Sequence, residues 1–463
     1  MSQSNQESKS KKVRKVFQMA ISLALVTVLT ISMMIPVWAD NQVPDISQWA
    51  VDDLNEGEKY GIYPLDWYYD QFRGQISEER LDALMVKVDE KIDFIADKVD
   101  FKAIPETGKL DRNDVMIRLY NILGSYNLVG KGEVASYMQS EGILQGTAAG
   151  LQLDKPCNSE QAVILAVRTI QHAYDTLQAG GKGVFWKVEN NGNTVYLLGS
   201  IHIGNSSVYP LYDLVTDAFN QSEALYVEAN ILDSGDGMSY FMAKGQYDDG
   251  TTLQEHVTKA QYDKIVEVCT LFQIDPAQIA TFKPWFLANQ FNALAMMMNG
   301  DNTASSNQVN LGIDVYFTLN AMLAQKPIVE LEGIPFQADM FDGLSKETQS
   351  EYLDGILESI LNPAVEDENA SAKLVAEWLE YWRQGDLESF QKSFQGASEE
   401  TEDEMSLMLF GQRDINMTEK ISAMLESEGN HTYFVVVGAG HYINKGSVID
   451  LLKEKGYTIQ WMY

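Results

Sequence analysis

Two glycine–histidine tetrapeptides, GSIH at residues 199–202 and GAGH at residues 438–441, each follow directly after five strand-type residues. The whole chain contains only five histidines, so composition alone does not explain two of them in matching positions. In open α/β sheets ligands bind beyond the carboxyl ends of the strands, where glycine allows a sharp turn and a close approach of the backbone. The pattern therefore predicts that His202 and His441 lie at one edge of a sheet, in positions suited to catalysis or metal binding.

Length and charge limit the class of protein. A chain of 463 residues, 45% of them hydrophobic, is long enough for more than one domain with a sizeable core. The net charge is −32, whereas phosphate binding needs a basic surface, so we expect no nucleic-acid partner. Cys157 and Cys269 are the only cysteines, which rules out a disulfide framework, and neither lies in a context typical of a nucleophile.

The N-terminus has the pattern of an export signal. Five basic residues lie between residues 9 and 15, residues 16–35 are mostly apolar, and Val37-Trp38-Ala39 resembles a cleavage site. Residues 1–39 are therefore predicted to be a signal peptide or an uncleaved membrane anchor. In both cases we expect the rest of the chain outside the cytoplasmic membrane, as an extracellular, cell-wall or membrane-anchored protein.

A glycine-rich segment at residues 179–183 predicts a boundary between two domains. Upstream, residues 40–179 have the pattern of short helices and turns with a weak internal repeat. The repeated segments, at residues 74–81, 109–116 and 156–162, each place a polar cap and an acidic residue before an amphipathic helix. These repeats predict a small all-helical domain.

The repeated segments resemble S-layer homology modules, which attach exported bacterial proteins to cell-wall polysaccharide. The resemblance implies that the N-terminal domain binds such a polysaccharide through a short motif at the start of a helix. Arg112 occupies the place of the arginine in that motif, whereas Glu78 and Ser159 replace it in the other two segments. The alternative is a helical spacer or a docking surface for the second domain.

From residue 184 to residue 463 strand patterns alternate with longer helical patterns. Residues 184–188 and 194–198 flank a polar loop that contains Asn191-Gly192, which predicts a β-hairpin. Further strands are predicted within residues 224–229, 326–332, 433–437 and 457–461. This alternation predicts an α/β fold for the C-terminal domain, with a β-sheet flanked by helices and interrupted by helical insertions.

Two carboxylates share the strand-end placement of the two histidines, because Glu228 and Glu332 each close a predicted strand. Imidazoles and carboxylates together suit a divalent ion such as zinc, manganese, cobalt or iron, and a bound ion acidifies water into a nucleophile. His202, His441 and one or both glutamates are therefore candidate metal ligands. A glutamate outside the ligand set is a candidate general base.

Other polar residues have open assignments. Arg413 precedes an amphipathic helix that leads to the second tetrapeptide, where its guanidinium could stabilise an oxyanion or form a structural salt bridge. Asp314 could be a helix cap or a site carboxylate. The remaining histidines, His172, His256 and His431, lie outside the tetrapeptide context and are expected to be surface or packing residues.

The C-terminal domain resembles the TraB/GumN family, which includes the Tiki ectodomain proteases and is distantly similar to erythromycin esterases and ChaN-like haem-binding proteins. The resemblance spans residues 184–463. It rests on residues 196–204, Val227-Glu228, residues 312–314, Leu331-Glu332-Gly333 with Gln337, Arg413, and residues 436–441. It implies a mixed sheet flanked by helices and a metal-dependent hydrolysis, with proteolysis in the Tiki branch, where manganese or cobalt is favoured.

Together these observations predict an exported, surface-retained metallohydrolase, a peptidase that acts on a peptide or protein with manganese, cobalt or zinc. The predicted catalytic residues are Glu228, Glu332 and Arg413, and the predicted metal ligands are His202, His441, Glu228 and Glu332. Two alternatives remain open. One is a metal-independent, esterase-like hydrolase with an imidazole as general base, and the other is a non-enzymatic, wall-attached scaffold or ligand-binding protein.

Overall fold

A computed structural model describes residues 44–130, 132–146, 149–202, 204–232, 235–298, 312–362, 365–398 and 403–463, without the side chains of residues 296–298, 365–372 and 397–398. These residues form two compact units. The C-terminal unit contains Lys182–Asn205 and Val215–Tyr463, and the N-terminal unit contains residues 44–181 together with Ser206–Leu214. The predicted signal or anchor, residues 1–39, lies outside the described residues. Within the described ranges no helix is both long and apolar enough to cross a membrane.

The N-terminal unit is helical, and its helices begin where the sequence places polar caps. The side chains of Ser77, Asp111 and Asn158 each accept a hydrogen bond from a backbone N–H in the following turn, as the repeated segments predicted. At Asn158 the Gln161 side chain accepts from the cap N–H in return, which completes a capping box. The described α-helices of this unit are α1 (Val51–Tyr60), α2 (Glu78–Asp93), α3 (Arg112–Ser125), α4 (Val134–Ser140) and α5 (Ser159–Thr176).

Helix α5 forms the centre of the N-terminal unit, because α1, α2 and α3 all pack against it. Twelve of its residues are buried. The chain segments before the capped helices also bond to one another, since Gln75 forms a β-bridge with Asn158 and Asp111 forms one with Pro156. Apolar burial around one helix and backbone bonds between the helix starts therefore hold this unit together.

The C-terminal unit alternates strands with helices. Its strands are β1 (Val184–Asn190), β2 (Asn193–Ser200), β3 (Ala224–Val227), β4 (Ile328–Glu330), β5 (Thr432–Gly438) and β6 (Ile459–Trp461). Its described α-helices are α6 (Asp213–Gln221), α7 (Asp236–Lys244), α8 (Leu253–His256), α9 (Lys259–Leu271), α10 (Pro284–Met298), α11 (Ile313–Leu323), α12 (Ile334–Asp342), α13 (Lys346–Leu361), α14 (Val365–Gln384), α15 (Leu387–Ser398), α16 (Glu404–Leu409), α17 (Gln412–Glu426), α18 (Gly440–Ile443) and α19 (Val448–Glu454).

A six-stranded sheet forms the core of this unit, in the order β4-β3-β5-β2-β1-β6. The strands β4, β3, β5 and β2 run parallel, whereas β1 is antiparallel to β2 and β6 is antiparallel to β1. The parallel pairing aligns the strand ends, because Ser200 pairs with Gly438, and Val227 pairs with both Val436 and Glu330. Four strands therefore end at one edge of the sheet, the carboxyl edge, where α/β proteins bind their ligands.

The predicted hairpin is confirmed. Strands β1 and β2 pair from Val184 opposite Gly199 to Asn190 opposite Asn193. The two residues between the strands, Asn191 and Gly192, have φ angles of 53° and 88°. A two-residue hairpin turn requires this left-handed backbone, and the Asn-Gly dipeptide adopts it at little cost.

The predicted fold class is also confirmed, with a mixed sheet flanked by helices in the C-terminal unit and helices in the N-terminal unit. The strands β3 and β4 are shorter than their sequence patterns. Glu228 and Glu332 therefore lie just beyond the strands instead of within them. The domain limits at residues 40–179 and 184–463 stay predictions.

Candidate active site

The residues predicted to form a site follow the four parallel strands at the carboxyl edge. His202 follows β2, Glu228 follows β3, Glu332 follows β4 and His441 follows β5. The backbone pairing continues beyond β3 and β4, since the N–H of Glu332 donates to the carbonyl oxygen of Glu228 at 2.9 Å. Arg413 reaches both glutamates from the first turn of α17. The structure thus brings these five predicted residues to one edge of the sheet.

Glycine is required next to His202 because of close packing. A Cβ atom on Gly199 would lie 2.5 Å from Cγ2 of Val184 and 2.9 Å from Cα of Ala439. A Cβ atom on Gly312 would lie 2.5 Å from the carbonyl oxygen of His202. The two glycines therefore allow the second tetrapeptide and the start of α11 to approach the end of β2.

His202 is oriented by Asp314, the second residue of α11. The Nδ1 atom of His202 lies 2.8 Å from Oδ2 of Asp314, and because a carboxylate can only accept, Nδ1 carries the proton. The N–H of Ile313 donates to the carbonyl oxygen of Ile201 at 3.1 Å, which ties the start of the helix to the tetrapeptide. Nε2 of His202 is therefore the ring atom that remains for a metal ion or a proton.

His441 is oriented in the same way by Asp414, a residue outside the sequence motifs that predicted the site. The Nδ1 atom of His441 lies 2.6 Å from Oδ1 of Asp414, and the two side chains are only 1% and 2% exposed. The other oxygen of Asp414 accepts from the N–H of Gly411 at 3.1 Å and so caps α17. Nε2 of His441 is buried without a hydrogen-bond partner among the described residues and lies 3.8 Å from Oε1 of Glu228.

Arg413 binds both glutamates. Its Nε donates to Oε1 of Glu332, and its Nη2 donates to Oε2 of Glu332 and to Oε2 of Glu228, each at 2.7 Å. Its third nitrogen, Nη1, donates to the carbonyl oxygen of Leu409 at 3.0 Å. Oε1 of Glu228 accepts from the N–H of Gly438 at 2.6 Å. One planar guanidinium therefore holds two buried carboxylates in a geometry that lysine could not provide.

The charges of the site shift two pKa values. Burial alone would raise the pKa of Glu228, but attraction to His441, Arg413 and His202 and a backbone hydrogen bond lower it to about 2. Burial alone would lower the pKa of His202, but the charge of Asp314 and its hydrogen bond, with the charge of Glu228, raise it to about 9. In the metal-free protein Glu228 is therefore ionised and His202 is protonated at neutral pH.

A pocket opens at this edge of the sheet. Its polar lining residues are Ser200, His202, Glu228, Asp314 and Gln337. Its apolar lining residues are Val227, Ala229, Ile231, Val436 and Val437. Polar and apolar residues therefore contribute equally to the wall of this small pocket, whose volume is about 30 Å³.

The two imidazoles suit a divalent metal ion in their chemistry, whereas the glutamates, as placed, do not complete a ligand set. Each imidazole has its Nδ1 bound by a carboxylate, as metal-binding histidines usually do. Glu228 and Glu332, however, are bound by Arg413. In the part of the chain that the structure describes, no group of three or more His, Cys, Asp or Glu side chains is arranged to hold an ion. Metal binding by the four predicted ligands stays a prediction.

The remaining histidines have other contacts. His172 bonds to the hydroxyl of Tyr137 at 2.8 Å, His256 stacks on Tyr247, and His431 bonds to Glu223 at 2.9 Å.

Both cysteines are buried free thiols. Burial raises the pKa of Cys157 to about 12 and that of Cys269 to about 11, so neither thiol forms a nucleophilic thiolate near neutral pH.

The chain therefore folds as an α/β protein whose parallel strands bring two carboxylate-bound imidazoles and an arginine-bound pair of glutamates to one edge of the sheet. The chain belongs to the TraB/PrgY/gumN family, whose family model matches residues 184–460, more than half of the chain. The resemblance stated for the C-terminal domain is thus confirmed. The S-layer homology resemblance concerns residues outside this match and stays a prediction.

Individual relatives are distant. The uncharacterized protein YbaP of Escherichia coli K12 is 22% identical over 258 residues, which cover 56% of this chain and 87% of YbaP. The metalloprotease TIKI2 of Danio rerio is 35% identical over 52 residues, 11% of this chain and 10% of that protein. The metalloprotease TIKI homolog of Amphimedon queenslandica is 36% identical over 47 residues, 10% of this chain and 9% of that protein. No solved structure matches the chain significantly.

Proposed function

We propose that the C-terminal unit is a hydrolase that cleaves peptide bonds with a divalent metal ion. The observation that carries this proposal is the pair of imidazoles, His202 and His441, each with its Nδ1 bound by an aspartate at the carboxyl edge of the sheet. Membership of the family and the short similarity to the Tiki metalloproteases support a hydrolase of the peptidase type. The proposed substrate is a peptide or protein, and the proposed ion is manganese, cobalt or zinc.

His202 and His441 would hold the ion through Nε2, with Glu228 as the neighbouring carboxylate. When bound, the ion would supply a Lewis acid and an acidified water. Asp314 and Asp414 each bind an Nδ1–H, so Nε2 is the ring atom left for the ion, and His202, which is protonated at neutral pH without metal, would lose its Nε2 proton when the ion binds. Glu228 already accepts from Arg413 and from the N–H of Gly438, so it suits charge stabilisation better than general base catalysis.

A metal-independent hydrolase is the second candidate, and the placement of Arg413 favours it. The guanidinium already bonds to both Glu228 and Glu332, so each carboxylate has a cationic partner in the buried site without a metal ion. Since the raised pKa of His202 keeps that ring protonated at neutral pH, it would act as a proton donor. His441 would then be the remaining candidate for a general base.

Metal content measured by mass spectrometry distinguishes the two candidates. The wild type and a His202→Ala, His441→Ala double variant are purified in the same way, and cleavage of internally quenched peptides is measured with and without a chelator. A metal-dependent enzyme retains close to one ion per chain, which the folded variant loses, and chelation abolishes cleavage. Full cleavage after exhaustive chelation would contradict the role of the metal and support the second candidate.

We also propose that the chain is exported and retained at the cell surface, with the N-terminal unit in contact with cell-wall polysaccharide. The apolar segment and the cleavage-site pattern support export, and the three capped helices support the comparison with S-layer homology modules. The guanidinium of Arg112 donates to the carbonyl oxygens of Leu151 and Gln145 at 3.1 and 3.3 Å. These bonds within the unit argue against Arg112 binding polysaccharide in the way that the motif arginine does. Binding of the purified chain to isolated cell walls tests this proposal.

A further inference from the structure

Ser200, the second residue of the first tetrapeptide, has a rigid backbone at the end of β2. Its carbonyl oxygen accepts from the N–H of Ala439 at 2.8 Å, and its Cα lies opposite that of Gly438 in the parallel pairing. The preceding carbonyl, of Gly199, accepts from the indole N–H of Trp382 at 2.6 Å. The Ser200 side chain therefore leaves the sheet from a fixed position.

The Ser200 hydroxyl has no hydrogen-bond partner within the described part of the chain, although the residue is only 2% exposed. Folded proteins rarely leave a buried hydroxyl without a partner, because the loss of its bonds to water is then not compensated. Ser200 also lines the pocket that contains His202 and Glu228. A rigid, buried donor in a pocket indicates that its partner is a ligand.

Arg413, a candidate oxyanion partner by its position in the sequence, has little donor capacity left for a substrate. All three of its nitrogens donate to acceptors of the protein, namely Glu228, Glu332 and Leu409. The Ser200 hydroxyl is a pocket donor without such a commitment to any described residue. A group that stabilises developing charge should be fixed in place and free to bond, and Ser200 meets both conditions.

We propose that Ser200 is a catalytic residue whose Oγ–H donates a hydrogen bond to the carbonyl oxygen of the scissile amide, an inference that rests on the proposed hydrolase function. Negative charge develops on this oxygen as water attacks the carbonyl carbon, and the bond strengthens at that moment. The hydroxyl keeps its proton and forms no covalent bond. Oγ makes no hydrogen bond to either imidazole in the described residues, so the structure does not assemble a serine nucleophile.

If Ser200 has this role, its substitutions should affect the stability and the activity of the protein differently. Ser200→Ala removes a polar group that folding leaves unsatisfied, so its Tm should equal or exceed that of the wild type. Its kcat should fall about 100-fold with little change in KM, because the lost bond acts in the transition state. Ser200→Thr retains a hydroxyl and should keep more activity than Ser200→Ala.

The experiment uses the full chain loaded in turn with manganese, cobalt and zinc, and a set of internally quenched peptides as the probe. Ser159→Ala is the matched control. Ser159 is 1% exposed and its hydroxyl also lacks a described partner, but it lies in the first turn of α5 in the N-terminal unit. Its replacement by alanine should leave kcat and KM unchanged.

Each outcome decides the proposal. A 100-fold lower kcat with an unchanged or higher Tm for Ser200→Ala supports it. Wild-type kinetics of Ser200→Ala, or labelling of Ser200 by a fluorophosphonate, would overturn it while leaving the hydrolase function intact. A lower Tm with unchanged kinetics would identify a structural hydroxyl and also overturn it. A wild type that cleaves no peptide with any of the three ions overturns the proposed function and this role of Ser200 together.

Discussion

Carboxylates in the first turns of helices bind different partners in the two units. In the N-terminal unit Asp114, the third residue of α3, accepts from the N–H groups of Thr107 and Gly108 at 2.7 and 3.3 Å. Glu160, the second residue of α5, accepts from the N–H and the hydroxyl of Ser47 at 2.6 and 2.8 Å. Both carboxylates therefore fix the path of a preceding chain segment.

In the C-terminal unit the corresponding positions bind imidazoles. Asp314 and Asp414, the second and third residues of their helices, hold the Nδ1 atoms of His202 and His441. All four acidic residues occupy positions that the helix dipole favours, so their sequence contexts look alike. A carboxylate at the start of a helix therefore orients a functional side chain only where the fold brings that side chain into contact with it.

The largest expected difference between the units concerns one ion-paired arginine in each of them. Arg413→Met leaves two carboxylates buried without their cation, and we expect it to lower the free energy of unfolding by about 3–5 kcal/mol. Arg168→Met in the N-terminal unit breaks a pair with Asp53 whose side chains are 19% and 21% exposed, and should cost about 1 kcal/mol. Urea unfolding of both variants measures the difference. Equal losses would show that the C-terminal cluster is no more desolvated than an ordinary ion pair.

Alkaline pH should destabilise the C-terminal unit through His202. In the metal-free protein its pKa is raised from 6.5 to about 9, so its stabilising contribution is complete below pH 6.5 and is lost as the pH rises through 9. The shift corresponds to at most about 3 kcal/mol. Asp314→Asn removes the charge that raises the pKa, so its free energy of unfolding should change less over this range. Urea unfolding of chelator-treated protein tests this, and identical pH profiles would contradict it.

The loss of one carboxylate–imidazole bond should weaken metal binding by an intermediate amount. Asp414→Asn no longer enforces a proton on Nδ1 of His441, so we expect 10- to 100-fold lower affinity for Co²⁺, or about 1.4–2.7 kcal/mol. Titration of the visible Co²⁺ spectrum measures the affinity. Asp114→Asn in the N-terminal unit is the control and should leave the titration unchanged. Wild-type affinity of Asp414→Asn would mean that Asp414 only caps its helix.

The smallest effect is expected from the cap of α5. Asn158→Ala removes the side-chain acceptor for the N–H of Gln161 at 2.7 Å and should lower the free energy of unfolding by about 1 kcal/mol. Peptide cleavage by the C-terminal unit should stay unchanged. Thermal unfolding and the peptide assay measure the two quantities, and a parallel loss of activity would show that the N-terminal unit takes part in the reaction.

The sequence signals for His202 and His441 are local, whereas the roles of Asp414 and Ser200 depend on contacts and burial in the folded chain. His202 and His441 could be predicted because glycine, histidine and the preceding strand pattern lie within ten residues of each other. Asp414 was missed because an acidic residue in a first turn is an ordinary cap, and its bond to His441 joins residues 27 positions apart. Ser200 lies inside a recognised tetrapeptide, but burial without a partner is a property of the packed structure.

The sequence by itself determined the local features: the Asn-Gly turn, the polar helix caps and the strand patterns that end in the two tetrapeptides. These features depend on hydrogen bonds and side-chain periodicity over a few residues. Only the tertiary structure decided which polar groups meet. Arg413 and Glu228 are 185 positions apart, and they come together because the parallel strand order brings four strand ends to one edge, beside the start of α17. The cost of burying charge then fixes the pairing, since each carboxylate at that edge needs a cation or an N–H to be stable out of water.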